Sequence, residues 1–237
     1  MDLSCEERPS DSPFVERIWR SRSDDGGPFI SIAHSRWEMV VTKYQERITL
    51  TVRGPETRAT HAFCPPDAEF FGIQFKAGTF MPSLPPRMVM DRCDLNLPEA
   101  VNQRFWLCSS AWQFPDFENA DTFVSRLARD EVLIHDPVVS SVLEGKPVEP
   151  SLRTVQRRVM QATGLSPNRV RQIVRARYAT VLLKNGISIL DVVFLAGYAD
   201  QPHLTRSLRQ MIGQTPAQIM GENRTERLSF LFNTMPI

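Results

Sequence analysis

Arg157-Arg-Val-Met-Gln-Ala-Thr-Gly-Leu-Ser-Pro167 and Arg206-Ser-Leu-Arg-Gln-Met-Ile-Gly-Gln-Thr-Pro216 are one pattern written twice, 49 positions apart. Arg lies over Arg, Gln161 over Gln210, Gly164 over Gly213, and Ser166-Pro167 over Thr215-Pro216. Upstream, Ser151 lies over Asp200, and both residue types cap helix N-termini by accepting a backbone N–H. Each copy therefore predicts a cap, about three turns of helix, a glycine stop, and Ser/Thr-Pro to open the next helix. Two copies are too few for a solenoid, so the pattern reads as a duplicated helix-turn-helix.

Charge points the same way. Between 151 and 213 the chain carries ten basic residues and two acidic ones, Asp191 and Asp200, a local excess of +8 in a chain whose net charge is +1. A basic helical block beside a neutral remainder is the electrostatic footprint of a nucleic-acid binder.

Each helix divides into a buried stripe and a reading face. In the first, Leu152, Val155 and Val159 are expected inside, with Arg153, Gln156, Arg157 and Met160 on other faces. In the second, Leu204, Leu208 and Met211 are expected inside, and Gln201, His203, Thr205 and Arg206 are the candidate readers. Arg and Gln match guanine and adenine edges bidentately in the major groove. Pro202 falls in the first turn, where its missing N–H costs little. Between the copies, a helix from Ser166-Pro167 to about Asn185, stopped by Gly186, would run roughly 28 Å at about 1.5 Å per residue. Ser188–Ala196 is the expected positioning helix of the second unit, and Gly197-Tyr-Ala-Asp200 its turn.

Working outward, residues 1–12 are polar and Pro/Ser-rich and read as a flexible lead-in. From 13 to about 80 the signals are β: Phe29–Ile32, Trp37–Thr42, Arg47–Val52, Thr60–Phe63 and Glu69–Lys76, broken by Gly54-Pro55 and Cys64-Pro-Pro-Asp67. Short strands at this spacing predict a small barrel or sandwich. Trp37, Phe63, Phe70, Phe71, Phe75 and Phe80 either fill it or line a ligand pocket. A helix is expected near Glu99–Leu107 and another over Asn119–Leu133, with Phe123, Leu127 and Val132 inside. Asp136-Pro137 can open a short helix to Leu143. The tail, Arg227–Phe232, is apolar enough to pack back.

Several classes are excluded or left without support. No run approaches 18 apolar residues, so no membrane span is expected, and Met1–Arg8 lacks the basic-then-apolar pattern of a leader. The chain therefore reads as cytoplasmic. Cys5, Cys64, Cys93 and Cys108 are dispersed, as are His34, His61, His135 and His203. Neither set has ligand spacing, so no metal and no cofactor is expected. A barrel enzyme with an appended DNA-binding part would need His34, His61, Glu38, Glu46 and Glu69 to converge; no catalytic residue is otherwise indicated.

Gly197-Tyr-Ala-Asp-Gln-Pro-His-Leu-Thr-Arg-Ser207 with Gly213-Gln-Thr-Pro-Ala217 closely resembles the signature of the AraC-type (AraC/XylS) transcription regulators. So does Leu152-Arg-Thr-Val-Gln-Arg-Arg158 with Thr163-Gly-Leu-Ser-Pro167. The resemblance implies a bacterial, sequence-specific regulator of α+β class. A β-barrel or cupin-like sensor domain would occupy 13–118. A seven-helix DNA-binding domain with two helix-turn-helix units would occupy 119–222, and a tail 223–237. It implies base contacts by Arg153, Gln156 and Arg157 and by Gln201, His203, Thr205 and Arg206. Its implied partners are promoter or operator DNA, a small-molecule effector, RNA polymerase and a second copy of the chain. Residues 137–150 depart from the pattern, offering Pro147 and Pro150 in place of the tidy glycine turn at 188–200.

Overall fold

The computed structural model describes residues 3–91, 93–221 and 227–228. The chain divides into two compact units. The first takes the chain up to Gly27, Ser35–Pro55 and Pro65–Pro167; the second takes Pro28–His34, Glu56–Cys64 and the chain from Asn168 onward.

The first unit is built on six antiparallel strands. These are β1 (Leu3–Arg8), β2 (Val15–Ser23), β4 (Glu38–Tyr44), β5 (Arg47–Arg53), β7 (Ala68–Phe75) and β9 (Leu95–Asn96), in the order β1-β2-β7-β4-β5-β9. One face is apolar: Ile18, Ile73, Met39 and Val52 stand opposite one another across four strands and are at most 1% exposed. The other face carries a polar row in the same register, Arg17–Gln74–Glu38–Arg53. One step along, Trp19 lies over Gly72 and donates its indole N–H to Glu38 Oε1 at 2.8 Å.

Within the described residues this sheet is open, β1 pairing only with β2 and β9 only with β5, so its pairing gives the expected barrel no support. Residues 3–8, expected as a flexible lead-in, are paired with β2 along their whole length. The helix expected near 99–107 is instead a three-stranded hairpin sheet of β10 (Glu99–Ala100), β11 (Arg104–Leu107) and β12 (Ser110–Gln113). The cause is a two-residue turn at Cys108-Ser109 with φ of 48° and 62°. Such turns match strand twist and normally announce themselves by Asn or Gly, which this one lacks. Burial alternates along β11, with Phe105 and Leu107 inside and Trp106 out. Phe105 and Trp112 pack edge-on against Phe123 of α1 (Ala120–Arg129).

Burial pushes the Glu38 carboxyl above its ordinary value, against the pull of Arg53, the Trp19 bond and Arg17. A raised acid holds its proton more tightly when folded. Its contribution is complete below the ordinary value of about 4.3 and is lost as pH rises through the folded value. Glu38→Gln keeps an oxygen for Trp19 and cannot ionise. Its melting temperature should therefore gain on wild type as pH rises from about 4, and parallel curves would refute this.

The first unit also holds a short antiparallel pair, β8 (Thr79–Phe80) and β13 (Ile134–His135). The second unit contains a three-stranded sheet of β14 (Arg227–Leu228), β3 (Gly27–Ser31) and β6 (Thr60–Cys64), with β3 in the middle. Its helices are α4 (Pro167–Lys184), α5 (Ile189–Leu195), α6 (Gln201–Met211) and α7 (Pro216–Met220). Beyond Arg227–Leu228 the expected apolar tail lies outside the described residues. The region 119–221 holds seven α-helices among the described residues, completed by α2 (Pro137–Leu143) and α3 (Leu152–Thr163). The fold is thus mixed, sheet-rich first and helical last. No helix among the described residues is long and apolar enough to cross a membrane.

Candidate nucleic-acid interface

In the first unit, Asp136 caps α2 by accepting from the N–H groups of Val138 and Val139 at 2.9 and 3.2 Å. The chain turns through 144–150 and Ser151 caps α3 by accepting from Thr154 N–H. Gly164, with φ of 68°, ends α3 in the left-handed region that a glycine stop favours. Val155, Val159, Ala162 and Thr163 are buried. Arg153, Gln156, Arg157 and Met160 fall at i, i+3, i+4 and i+7, which is one helix face, and all four are exposed. Leu152, expected inside with Val155 and Val159, is 81% exposed. It sits in the first turn, beyond the reach of the core that covers the next two turns.

In the second unit, Ser188 caps α5 through Asp191 N–H, Gly197 makes the turn, and Asp200 caps α6 by accepting from His203 N–H at 2.6 Å. Leu204, Leu208 and Met211 are buried, as the stripe predicts. Gln201, Pro202 and Arg206 are exposed, and Thr205 is half-buried.

Six of the seven candidate readers have side chains that bond to no other described residue: Arg153, Gln156, Arg157, Gln201, Thr205 and Arg206. His203 is different. Its Nδ1 accepts from Ala199 N–H at 3.4 Å and its ring meets Tyr198 edge-on at 5.1 Å, so it braces the turn. Tyr198 is held in turn by Ser207 at 3.1 Å and by Arg175 stacked at 4.4 Å.

The other arginines are largely spoken for. Arg158 pairs with Asp136 at 3.3 Å. Arg169 donates to Thr57 O, Arg175 to Gly197 O and Arg177 to Ala33 O, at 2.6, 3.2 and 3.1 Å. Arg171 on α4 and Arg209 on α6 are exposed and have no partner among the described residues. Nothing in the helical pattern distinguishes them from Arg169, Arg175 and Arg177; only their lack of a partner among the described residues does.

The residues named for an enzyme are divided between the two units. His34 and His61 belong to the second unit, while Glu38, Glu46 and Glu69 belong to the first. His34 lies 4.0 Å from Glu56, and Glu38 is buried against Trp19. Among the described residues no group of three or more His, Cys, Asp or Glu could hold a metal ion.

The first unit also has a half-open cavity of about 510 Å³, with Val41, Phe71 and Phe117 among its apolar walls and Arg20, Lys43 and Glu69 among its charged ones. The six aromatics divide accordingly. Trp37, Phe75 and Phe80 are core, Phe70 and Phe71 line the cavity, and Phe63 is 67% exposed.

Residues 148–221, somewhat under a third of the chain, match the family model described as a helix-turn-helix domain. That stretch begins just before the α3 cap and ends just after α7, so it takes in both α3 and α6. The match supports a DNA-binding helix-turn-helix domain of the AraC type over that stretch, and with it a part in transcription regulation. No curated protein and no solved structure matches the chain.

Proposed function

We propose that the protein is an AraC/XylS-type regulator that reads two half-elements of a promoter or operator with α3 and α6. Arg153, Gln156, Arg157, Gln201, Thr205 and Arg206 make the base contacts, and His203 shapes the turn that presents them. The observation that carries this reading is the unpartnered polar face on two capped, repeat-related helices. Leu152 and Met160, exposed beside the α3 readers, suit the methyl groups of thymines. Arg171 and Arg209 suit phosphates, which fix register without specifying sequence.

α4 has 18 residues, about 27 Å along its own axis; two reading helices on one face of DNA meet successive major grooves roughly 34 Å apart. Function divides the chain into a regulatory part, 13–118, and a DNA-reading part, 119–222. The cavity falls within the 300–1,000 Å³ typical of small-molecule sites and is the place for an effector. RNA polymerase and a second copy of the chain are the remaining proposed partners.

The test is selection of genomic fragments by the purified full-length protein across a salt series. The expected result is a few fragments that survive rising salt and share two half-elements about one helical turn apart. Uniform binding that vanishes with salt would leave only the phosphate attraction and refute sequence reading.

A further inference from the structure

The repeat that lays Gly164 over Gly213 also lays Ala162 over Met211, the last or next-to-last residue of each recognition helix. Carbonyls in a last helical turn have no intrahelical partner. Here these two are met by groups from far upstream. Ala162 O accepts from Trp37 Nε1 at 2.8 Å, in a buried bond. Met211 O accepts from Ala33 N–H at 2.8 Å, and Gln210 O from Ala59 N–H at 2.9 Å.

The glycine stops repeat the theme. A Cβ on Gly164 would fall 2.3 Å from Met90 Sδ and 2.9 Å from Pro86 Cβ; one on Gly213 would fall 3.0 Å from Ile30 Cγ2 and 3.1 Å from Ala59 Cβ. Gly186 and Gly197, also of positive φ, have nothing within 4 Å. At 164 and 213 glycine therefore serves close approach as well as backbone geometry. Each helix, within its own unit, is pinned at its C-terminal end by the sheet-rich half of the chain.

We propose that Trp37 is a positioning residue for DNA reading, fixing the axis of α3 through Ala162 O, with Met90 as its support at Gly164. Trp37 is 1% exposed and stands immediately before β4, so the anchor is as rigid as the sheet. Arg153 lies nine residues from Ala162, about 14 Å along the helix. A tilt of about 5° at the anchor moves it by about 1 Å, enough to spoil a two-bond match to a base edge. The reading stretch is thus not self-standing: its first helix is aimed by a tryptophan 125 residues upstream.

This rests on the proposed function, and the test separates the two. Full-length Trp37→Phe keeps a six-membered aromatic ring and loses the indole N–H. Full-length Trp112→Phe is the control, because it loses a comparable bond, to Leu107 O at 3.1 Å, in the same unit but away from α3. Three DNAs are titrated: the selected operator, and the operator with one or the other half-element scrambled. The α3 half-element is assigned as the one at which Arg157→Ala loses discrimination.

Trp37→Phe should bind the operator about tenfold more weakly, the scale of one unmet buried carbonyl. It should show the same loss on DNA keeping only the α3 half-element, and match wild type on DNA keeping only the other. Trp112→Phe should lower the melting temperature and leave the half-element pattern unchanged. Should Trp37→Phe not melt cooperatively, Met90→Ala, which leaves the indole bond intact, carries the same test. Equal losses on both half-elements, or a folded variant reading the α3 half-element as well as Trp112→Phe does, would overturn the proposal. A wild type that selects no sequence would remove the proposed function itself.

Discussion

Arg157→Ala and Arg206→Ala should each lose about 1–3 kcal/mol of discrimination at one base step of the operator. Each guanidinium is exposed on a capped helix and bonds to nothing else in the described structure, so truncation frees no buried partner. The loss should therefore appear in binding and not in folding, with stability within about 0.5 kcal/mol of wild type. It should also be local: titration against single-base variants of the operator should flatten at one step and leave the others alone. A base reader barely changes the salt slope, whereas loss of a phosphate contact reduces it by about one. Arg158, the neighbouring position, differs: its ion pair with Asp136 ties α3 to the start of α2. If both alanine variants bind every operator variant as wild type does, these are not the readers.

What was legible in the sequence follows from how local the chemistry is. Ser151, Asp200, Gly164 and Gly213 act within three or four residues of themselves, and the helix ends they predict are the ones found. β2 was not legible because Arg17, Arg20 and Arg22 interrupt it. Arg17 is turned into the buried polar row, and no short-range pattern reveals a row shared by four strands. The 99–113 hairpin leaves little trace in the sequence because its turn places Cys108 and Ser109 at positive φ without a glycine. Closure of a barrel depends on whether the two edge strands meet, which alternation within a strand does not encode. The site splits the same way. Exposure of Arg153, Gln156, Arg157, Gln201 and Arg206 follows from the helical period, but the half-burial of Thr205 and the diversion of His203 to Ala199 N–H and Tyr198 need the turn to be built. The bond from Trp37 to Ala162 crosses 125 positions and had no signal at either end.

The stability of this arrangement concentrates at Gly72. It stands on β7 opposite Trp19 on one side and Val40 on the other. A Cβ there would fall 2.0 Å from Trp19 Cε2 and 2.3 Å from Cζ2 and Nε1. The ring has little freedom to yield, being 2% exposed and held by its bond to Glu38. Moving it would strip a buried carboxyl of its indole donor, adding about 1–3 kcal/mol to the roughly 1–3 kcal/mol of overpacking. Gly72→Ala should thus cost about 3 kcal/mol or more, a fall of about 6–12 °C in melting temperature for a chain of this size. Gly145→Ala is the comparison: its φ of 73° imposes about 1–2 kcal/mol of backbone strain, but its Cβ would meet nothing within 4 Å, so it should cost less than Gly72→Ala. Because β4 carries Glu38 and follows directly on Trp37, a loosened β2–β7–β4 core also loosens the anchor of α3. Near its melting midpoint, Gly72→Ala should lose the α3 half-element before the other. A Gly72→Ala protein that melts within 1 kcal/mol of wild type would show that the Trp19 ring is not fixed as described.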